Sequence, residues 1–497
     1  MADDEAPLLA AESDGSTGAR PAAQQQHPDY PQWFSPPRLL ALFCGVSLLV
    51  YLDRGALSSN GVNGSPRSVD NPEGEGIQGD FDLDNFQDGL LPAAFMVGLL
   101  IASAAFAEAS KYYNALRLIG VGLAIWTAGV VLCAAAPGFY LLLFARAAMG
   151  AGEASFLALT APFIDDVAPP KSKTVWFATF YMTNTAGYAL GYMVGGVVGP
   201  LCGWRAVFAL EALLMVPFVA FTLLAAPVDL RSTSGPKQVS PQLVSAAGDE
   251  GTRGGLLKPL RDMAQHMAHL CTFRIYVFNV CGQTLWTASV GALAFWGPKA
   301  ARKLFGLGGE SVDLLFGALT AVTAVVGTLG GAAISDRLGS SLRRSMIVSG
   351  AVTLASFVVL ELSTITATRT SFPVFMAGFG MGLLVLFGAS GPSNAVNMWS
   401  VPVDLRPQAV SFSTIMSHLL GDVPSPPLLG RLQDAIQQWD VTLAVTYLLI
   451  LASGAFYLCG AKLATQSDDH RVTEPNPNHP EEAEQHQHDD EVHHNSD

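Results

Sequence analysis

Charged residues are scarce in this sequence of 497 residues. Asp, Glu, Lys and Arg make up only 14% of it, whereas hydrophobic residues make up 50%. A soluble chain of this length would need many more charged residues to cover its surface. The composition therefore predicts a polytopic membrane protein.

Several chemical signatures are also missing. The six cysteines lie in or beside apolar segments and include no CxxC pair, so they predict neither a disulfide framework nor a zinc site. No HExxH, GxSxG or histidine-rich box lies at a membrane boundary, so we expect no enzyme activity, no cofactor and no metal. The net charge of -14 comes mainly from acidic residues in the tails and one loop, which argues against nucleic acid as a partner.

The first residues lack the pattern of a secretory signal. No apolar stretch follows a basic start within residues 1–37, so we expect no cleavable signal peptide. Residues 4–9 fit the acidic dileucine pattern, in which Leu8 and Leu9 would bind a sorting adaptor. A chance match in an acidic tail is the alternative.

Twelve apolar runs are long enough to cross a hydrocarbon layer of about 30 Å. Their approximate bounds are 38–58, 89–110, 115–136, 139–161, 174–199, 204–226, 272–297, 312–334, 344–366, 371–399, 407–429 and 440–463. We therefore expect an all-α polytopic membrane protein with twelve transmembrane helices. An even number of crossings places both termini on one side of the membrane.

The runs form two groups of six, separated by a polar stretch. This division predicts five regions: a disordered arm at 1–37, a six-helix half at 38–227, a linker at 228–270, a second six-helix half at 271–464 and a disordered acidic, His-rich tail at 465–497. Basic residues favour the loops on the side of the termini, so we expect the termini and the linker to be cytoplasmic. On the opposite side we expect a solvated acidic loop at 59–88 and another loop that contains Lys299.

Four ionisable residues lie inside apolar runs. Arg146 and Glu153 share one run, and at 3.6 residues per turn they fall on one helix face about 10 Å apart. Asp53 and Arg54 end the first run. A charge in the bilayer costs about 2.5 to 3.5 kcal/mol, so such residues normally face a watery cavity and mark a transport route. Asp53 is a candidate for proton uptake and release, and the alternative is a set of permanent ion pairs that only fix the packing.

Two groups of six helices joined by a cytoplasmic linker resemble the major facilitator fold, in which two halves rock about a site near the midplane. In this architecture the first helix of each group of three lines the cavity. The resemblance therefore adds neutral substrate-binding candidates from the second half: Gln283, Trp286, Ser390, Asn394 and Asn397. A charged wall facing a polar or aromatic wall suits an amphiphile with an ionic head.

Two further segments predict gates. Residues 330–339 resemble the superfamily signature G-x-x-x-D-R-x-G, in which Asp336 would meet a helix N-terminus and Arg337 a carboxylate. The equivalent loop of the first half lacks the Asp-Arg pair. In the eleventh run, His418 and Asp422 precede several prolines, which break the helical hydrogen-bond ladder and produce a kink that alternating access can use. A tie between neighbouring helices is the alternative role for both residues.

Three motifs together resemble the spinster branch of the major facilitator superfamily. They are Y-x-D-R at 51–54, R-x-x-x-G-x-G-E-A-S at 146–155 and S-H-L-L-G-D at 417–422. The resemblance implies transport of single-chain lipids with a charged head, such as sphingosine 1-phosphate or lysophospholipids, often driven by protons. It implies Asp53 and Glu153 as proton-linked acids, with Arg54 and Arg146 as their partners or as contacts to a phosphate.

Two alternatives to lipid transport stay open. The same fold could carry a small organic anion or a sugar, with Arg146 holding a carboxylate, or the chain could be a membrane sensor that transports nothing. The dileucine pattern favours a lysosomal, late endosomal or vacuolar membrane, with the plasma membrane as the alternative.

Overall fold

The computed structural model describes residues 34–68, 71–110, 112–169, 172–226, 267–339, 341–367 and 371–471. Most of the predicted N-terminal arm, including Leu8 and Leu9, lies outside these residues. So do most of the predicted linker and nearly all of the predicted tail.

Long α-helices coincide with the twelve predicted segments. The first six are α1 (Pro36–Ser58), α2 (Asn85–Ala109), α3 (Ala115–Ala135), α4 (Phe139–Val167), α5 (Lys173–Cys202) and α6 (Trp204–Leu224). The second six are α7 (Arg274–Phe305), α8 (Gly309–Arg337), α9 (Leu342–Ala367), α10 (Phe372–Phe387, continued by Ser390–Trp399), α11 (Arg406–Ser417, continued after a break by Ser425–Ile436) and α12 (Trp439–Leu463). Within the described ranges, β structure amounts to a single bridge between Ser65 and Glu75.

Nine of the described helices are long and apolar enough to cross a membrane: α1 to α4, α6, α8 to α10 and α12. Helices suit this environment because their backbone hydrogen bonds are satisfied internally. Helices α5 and α7 fall outside this set because polar residues and glycine lower their mean hydropathy, and α11 because its break divides it into two helices of 12 residues each. All three lie where the two groups of six meet. The chain is a multi-pass membrane protein.

The helices pack mainly within their own group of six. In the first group α1 packs on α5, and α4 packs on α2 and α3; in the second group α12 packs on α7 and α9. Across the groups, α5 packs against α8 and α2 packs against α11. If the second group repeats the first, α5 corresponds to α11 and α2 corresponds to α8. The two contacts are then equivalent, as expected of a fold built from repeats.

Small residues allow α4 to approach its neighbours closely. A Cβ atom added at Gly150 would lie 1.8 Å from the carbonyl oxygen of Phe95 in α2. One added at Gly152 would lie 2.4 Å from the backbone nitrogen of Trp126 in α3. Backbone contact of this kind supplies the van der Waals packing that holds helices together in lipid. It also fixes the depth and rotation of Arg146 and Glu153 on the same helix.

Helix α11 is interrupted where the prolines predict a kink. Residues His418–Asp422 form a single π-helical turn, in which the Val423 amide donates to the His418 carbonyl. Pro424 follows directly, and the α-helix resumes at Ser425. A π-turn widens the helix locally and turns its side chains to new directions.

The prediction of a solvated loop at 59–88 is wrong for part of that segment. Two short helices, Asn60–Asn63 and Gly76–Phe81, fold onto the helices beneath them. Gln78 and Asp88 are completely buried. The physical reason is a set of polar partners in the second group of helices, which satisfy these side chains in place of water.

Candidate functional site

A cavity of about 210 Å³ lies between the two groups of helices. Its walls come from α1, α2, α4 and α5 on one side and from α7 and α11 on the other. Most of its lining is apolar: Leu57, Pro92, Phe95, Met96, Trp286, Val290, Ala294, Phe295 and Pro426. The charged residues that reach it are Arg54, Arg146 and Asp422. The cavity is therefore an apolar space with ionic groups on both walls.

The four predicted ionisable residues form two crossed ion pairs between α1 and α4. Arg146 Nη1 donates to both oxygens of Asp53, at 2.6 and 2.9 Å. Arg54 Nη2 donates to Glu153 Oε1 at 2.5 Å. Each of the two residues on α4, Arg146 and Glu153, thus pairs with a residue on α1. The neighbours Asp53 and Arg54 bind opposite charges of the same helix.

The two pairs differ in exposure. The side chains of Asp53, Arg146 and Glu153 are at most 1% exposed, whereas Arg54 is 14% exposed. Buried opposite charges hold each other strongly because water does not screen them. Arg54 is consequently the cation of this cluster that an incoming anion can reach.

The ring of Phe95 in α2 contacts both guanidinium groups. Its ring centroid lies 5.0 Å from the guanidinium carbon of Arg54 and 5.0 Å from that of Arg146. A cation over an aromatic face is stabilised by the ring quadrupole. Phe95 also lines the cavity, so it forms part of both the ion-pair cluster and the apolar wall. The sequence reasoning missed this residue, since one more phenylalanine in an apolar run carries no signal.

Asp422 faces the cavity from the π-turn of α11. One of its oxygens contacts Nδ1 of His418 at 2.7 Å, and its side chain is 15% exposed. On the facing helix α7, a Cβ atom at Gly291 would lie 2.6 Å from Asp422 Oδ1. Gly291 thus leaves the space that Asp422 occupies, and it was not singled out in the sequence.

Of the five neutral residues predicted to bind substrate, Trp286 lines this cavity. Its indole nitrogen donates to the carbonyl of Leu386. The amides of Gln283, Asn394 and Asn397 bond to one another at 2.7 and 2.9 Å, outside the cavity lining. Ser390 also lies outside it and donates to the carbonyl of Phe387.

The two predicted gate segments lie in different places. His418 and Asp422 form the contact at the cavity described above. Asp336 and Arg337 lie exposed at the C-terminal end of α8, outside the cavity lining. The structure therefore brings Asp422 to the ion-pair cluster and leaves Asp336 and Arg337 at a helix end.

A second group of buried charges joins the two groups of helices near the loop at 59–88. Lys299 Nζ lies 3.6 Å from Asp88 Oδ2 and also donates to Asn63 and Gln78. Lys299 is only 3% exposed. The placement of Lys299 in an exposed loop is therefore wrong, because α7 extends past it to Phe305.

Two further carboxylates join the two groups of helices on the same side as Lys299 and Asp88. Asp313 of α8 accepts hydrogen bonds from the backbone and side-chain nitrogens of Asn60, at 3.0 and 2.7 Å. Asp434 of α11 accepts from the backbone nitrogens of Asn85 and Phe86, at 3.1 and 3.0 Å. Each contact ties a C-terminal helix to the N-terminal half of the chain. We call Lys299, Asp88, Asp313 and Asp434 the outer seal.

Outside the membrane segments, Asp80 in the short helix Gly76–Phe81 forms an ion pair with Arg205. Partial burial opposes ionisation of Asp80, but hydrogen bonds from Trp204 and Arg205 outweigh it and lower the pKa of the carboxyl. The Trp204 indole nitrogen donates at 2.8 Å and Arg205 Nη1 at 2.5 Å. Asp80 thereby fixes the loop to the start of α6.

Glu211 in α6 is a buried carboxyl that the sequence reasoning missed. It is completely buried, and neither of its oxygens accepts a hydrogen bond. The signal was present, since Glu211 is an acid in the middle of the apolar run at 204–226.

Comparison with known proteins agrees with this architecture. The family model described as Major Facilitator Superfamily matches residues 73–426. A solved structure of a bacterial homologue of the human lysosomal transporter Spinster, inward-facing and unoccupied, is similar in fold. Its TM-score is 0.66 at 16% identity, over 87% of this chain and 98% of that one.

Sequence relatives are closer. The probable sphingolipid transporter spinster homolog 2 of Arabidopsis thaliana is 37% identical over 93% of this chain and 96% of its own length. The sphingosine-1-phosphate transporter SPNS2 of Danio rerio is 27% identical over 77% of this chain and 75% of its own. The extent and level of these matches decide the family. The chain belongs to the spinster branch of the major facilitator superfamily.

Proposed function

We propose that this protein transports a single-chain lipid with a charged head, such as sphingosine 1-phosphate or a lysophospholipid, by proton-coupled alternating access. One observation carries the proposal: the cavity is mainly apolar, and of the two arginines that line it, Arg54 has the more exposed side chain. An apolar space with few polar groups suits an acyl chain, and a guanidinium suits a phosphate. The names of the spinster relatives support the same class of substrate.

A sugar or a small organic anion fits the cavity less well. Such substrates are held by several hydrogen bonds, and the amides that could supply them, Gln283, Asn394 and Asn397, bond to one another instead. Arg146, which would hold a carboxylate in that alternative, is occupied by both oxygens of Asp53. We accordingly assign head-group binding to Arg54 and the contact with the lipid chain to residues such as Trp286 and Phe95.

Coupling to protons follows from competition for Arg54. An anionic head group that binds Arg54 displaces the Glu153 carboxylate, which then lies buried without its cation. A buried carboxylate in that position takes up a proton. Asp53 would respond in the same way when its bonds to Arg146 loosen. Glu153 and Asp53 are therefore the proposed proton-coupling residues.

Alternation of access requires the outer seal to open. Lys299 and Asp88 hold the halves together on the side of the loop at 59–88, and Asp313 and Asp434 add hydrogen bonds to the same side. The interrupted helix α11, which carries both Asp422 and Asp434, provides a flexible point near the cavity. We propose that release of these contacts and bending of α11 expose the cavity to the non-cytoplasmic side, with Asp336 and Arg337 acting at the cytoplasmic side.

For the orientation, we propose that the termini and the linker are cytoplasmic. Support comes from basic residues at the ends of helices that face the same side as the termini, such as Arg117, Arg343 and Arg406. We also propose a lysosomal, late endosomal or vacuolar membrane, reached through an adaptor that binds Leu8 and Leu9. No catalytic role is assigned to any residue.

Uptake into proteoliposomes tests the proposed function. Purified full-length protein is given an imposed pH gradient with labelled sphingosine 1-phosphate, a labelled lysophospholipid or a labelled organic anion. We expect gradient-dependent uptake of a lipid, strong loss with Arg54→Gln and normal uptake with the exposed-arginine control Arg117→Gln. Uptake of the organic anion alone, or lipid uptake that Arg54→Gln leaves intact, would overturn the assignment.

A further inference from the structure

Glu211 on α6 is a buried acid that the proposed function does not use. Its side chain is 0% exposed, and neither carboxyl oxygen finds a hydrogen-bond donor. An ionised carboxyl in such a place is strongly unfavourable unless it is paired or hydrogen-bonded. Its presence beside Asp53 and Arg146 therefore calls for a specific explanation.

Groups from three helices face Glu211. The carboxyl of Asp53 on α1 lies within hydrogen-bonding reach of it. The Arg146 guanidinium on α4 and the Cys133 thiol on α3 interact with it electrostatically. Arg146 already directs Nη1 at both oxygens of Asp53. Glu211 thus adds a second carboxyl to an ion pair that is already balanced.

Two ionised carboxyls in contact can only accept hydrogen bonds, so neither can satisfy the other. A single proton between them removes the repulsion and supplies the missing donor, as in other carboxyl pairs that share a proton. Locally, the carboxyls of Asp53 and Glu211 face one guanidinium, that of Arg146, so one proton neutralises the negative charge that remains.

We propose that Glu211 shares one exchangeable proton with Asp53 and is a third proton-coupling residue of the transporter. The inference rests on the proposed proton coupling and names the group that stores the proton. When the O–H bond is on Glu211, Asp53 is ionised and holds Arg146. When that bond breaks and an O–H bond forms on Asp53, the negative charge moves to Glu211 on α6, and the ion pair of Arg146 with Asp53, which joins α4 to α1, is lost. The proton itself enters from and returns to solvent through the cavity.

Movement of this proton links the charge cluster to the helices. Arg146 paired with Asp53 ties α4 to α1, and Arg54 paired with Glu153 does the same. Protonation of Asp53 weakens the first tie while the second responds to the head group. Glu211 is thus positioned to connect the protonation state with the packing of α1 against α4.

Infrared spectroscopy of the full-length protein tests the shared proton without reference to transport. The C=O stretch of a protonated carboxyl, which shifts in deuterium oxide, is compared between wild type, Glu211→Gln and the control Glu361→Gln. Glu361 is a half-buried carboxyl of α9 outside the cavity lining. We expect the band to be present at neutral pH, weakened by Glu211→Gln and unchanged in the control. A band that Glu211→Gln leaves intact would overturn the proposal.

Transport by the same variants supplies the functional arm. We expect Glu211→Gln to lower the ratio of gradient-driven uptake to counterflow by about tenfold, a typical size for coupling between linked sites. Glu211→Asp should restore part of that ratio and Glu361→Gln should leave it unchanged. A normal ratio in folded Glu211→Gln would overturn the role of Glu211 alone. Wild type without gradient-driven uptake would instead overturn the proton coupling on which the role rests.

Discussion

Arg54 of α1 donates to Glu153 of α4 at 2.5 Å, although Asp53 is its neighbour in the chain. Asp53 is occupied by Arg146, so adjacent residues of one helix engage opposite charges of another. The consequence is that the two ion pairs share the interface between α1 and α4. Both arginines line the cavity, but the side chain of Arg54 is 14% exposed and that of Arg146 only 1%.

The first prediction concerns the contribution of the buried pair Arg146–Asp53 to stability. Arg146→Gln leaves Asp53 buried without its cation, which should destabilise the protein by about 3 to 5 kcal/mol. The double variant Asp53→Asn/Arg146→Gln removes both charges and should recover a large part of that loss. Thermal unfolding of the purified protein in detergent measures the difference. An unfolding temperature of Arg146→Gln equal to that of wild type would show that the pair does not hold the fold.

The second prediction concerns the space beside Asp422 in the cavity and its role in lipid binding. A Cβ atom at Gly291 would approach Asp422 Oδ1 to 2.6 Å, so Gly291→Val fills the space between α7 and α11 and should block lipid binding. The matched control is Gly330→Ala in α8, because a Cβ atom there meets no atom within 4 Å. Lipid binding by the two variants is compared with equal amounts of folded protein. Undiminished binding by Gly291→Val would contradict the location of the site.

A third prediction concerns the outer seal. Lys299→Met leaves Asp88 buried without a cation in the closed arrangement, so the population should shift toward a form open on that side. The double variant Lys299→Met/Asp88→Asn should shift less. Spin labels at the exposed positions Leu201 and Leu307, in a cysteine-free background, report the separation of the two halves. A distance distribution that Lys299→Met leaves unchanged would mean that this pair does not close the outer side.

A fourth prediction follows from the lowered pKa of Asp80. Because the folded pKa lies below the ordinary value of 3.8, the ionised form stabilises the folded state above that value. This stabilisation is lost as the pH falls through the folded pKa. Asp80 is 45% exposed, so we expect Asp80→Asn to be destabilised by less than about 1 kcal/mol at neutral pH. Unfolding temperatures of both proteins from pH 7 to pH 3 should converge, and a difference that grows toward pH 3 would contradict this assignment.

Much of the fold follows from hydrophobic length alone. The positions of the helices in the described residues match the apolar runs, because a bilayer requires about 20 apolar residues in a form that satisfies its own backbone. The ends of the helices were predicted less accurately than their positions. Helix α7 continues to Phe305, because Lys299 finds Asp88, Asn63 and Gln78 and so does not need to reach water.

The candidate site was predicted in its composition but not in its connections. Asp53, Arg54, Arg146 and Glu153 stood out as charges in apolar runs, yet helix geometry within one chain segment cannot give the rotation of α1 against α4. The neutral residues of α7 and α10 were placed by fold analogy. Their amides satisfy one another, which depends on contacts between distant segments that local sequence does not encode.

We propose that an anionic lipid competes with Glu153 for Arg54 and so drives proton uptake. The most direct test is the number of protons taken up when sphingosine 1-phosphate binds to full-length protein in weakly buffered detergent, followed with a pH indicator. We expect about one proton per bound lipid in wild type, from the single carboxylate displaced, and loss of this uptake in Glu153→Gln. Lipid binding without proton uptake by wild type, or equal uptake by Glu153→Gln, would contradict it.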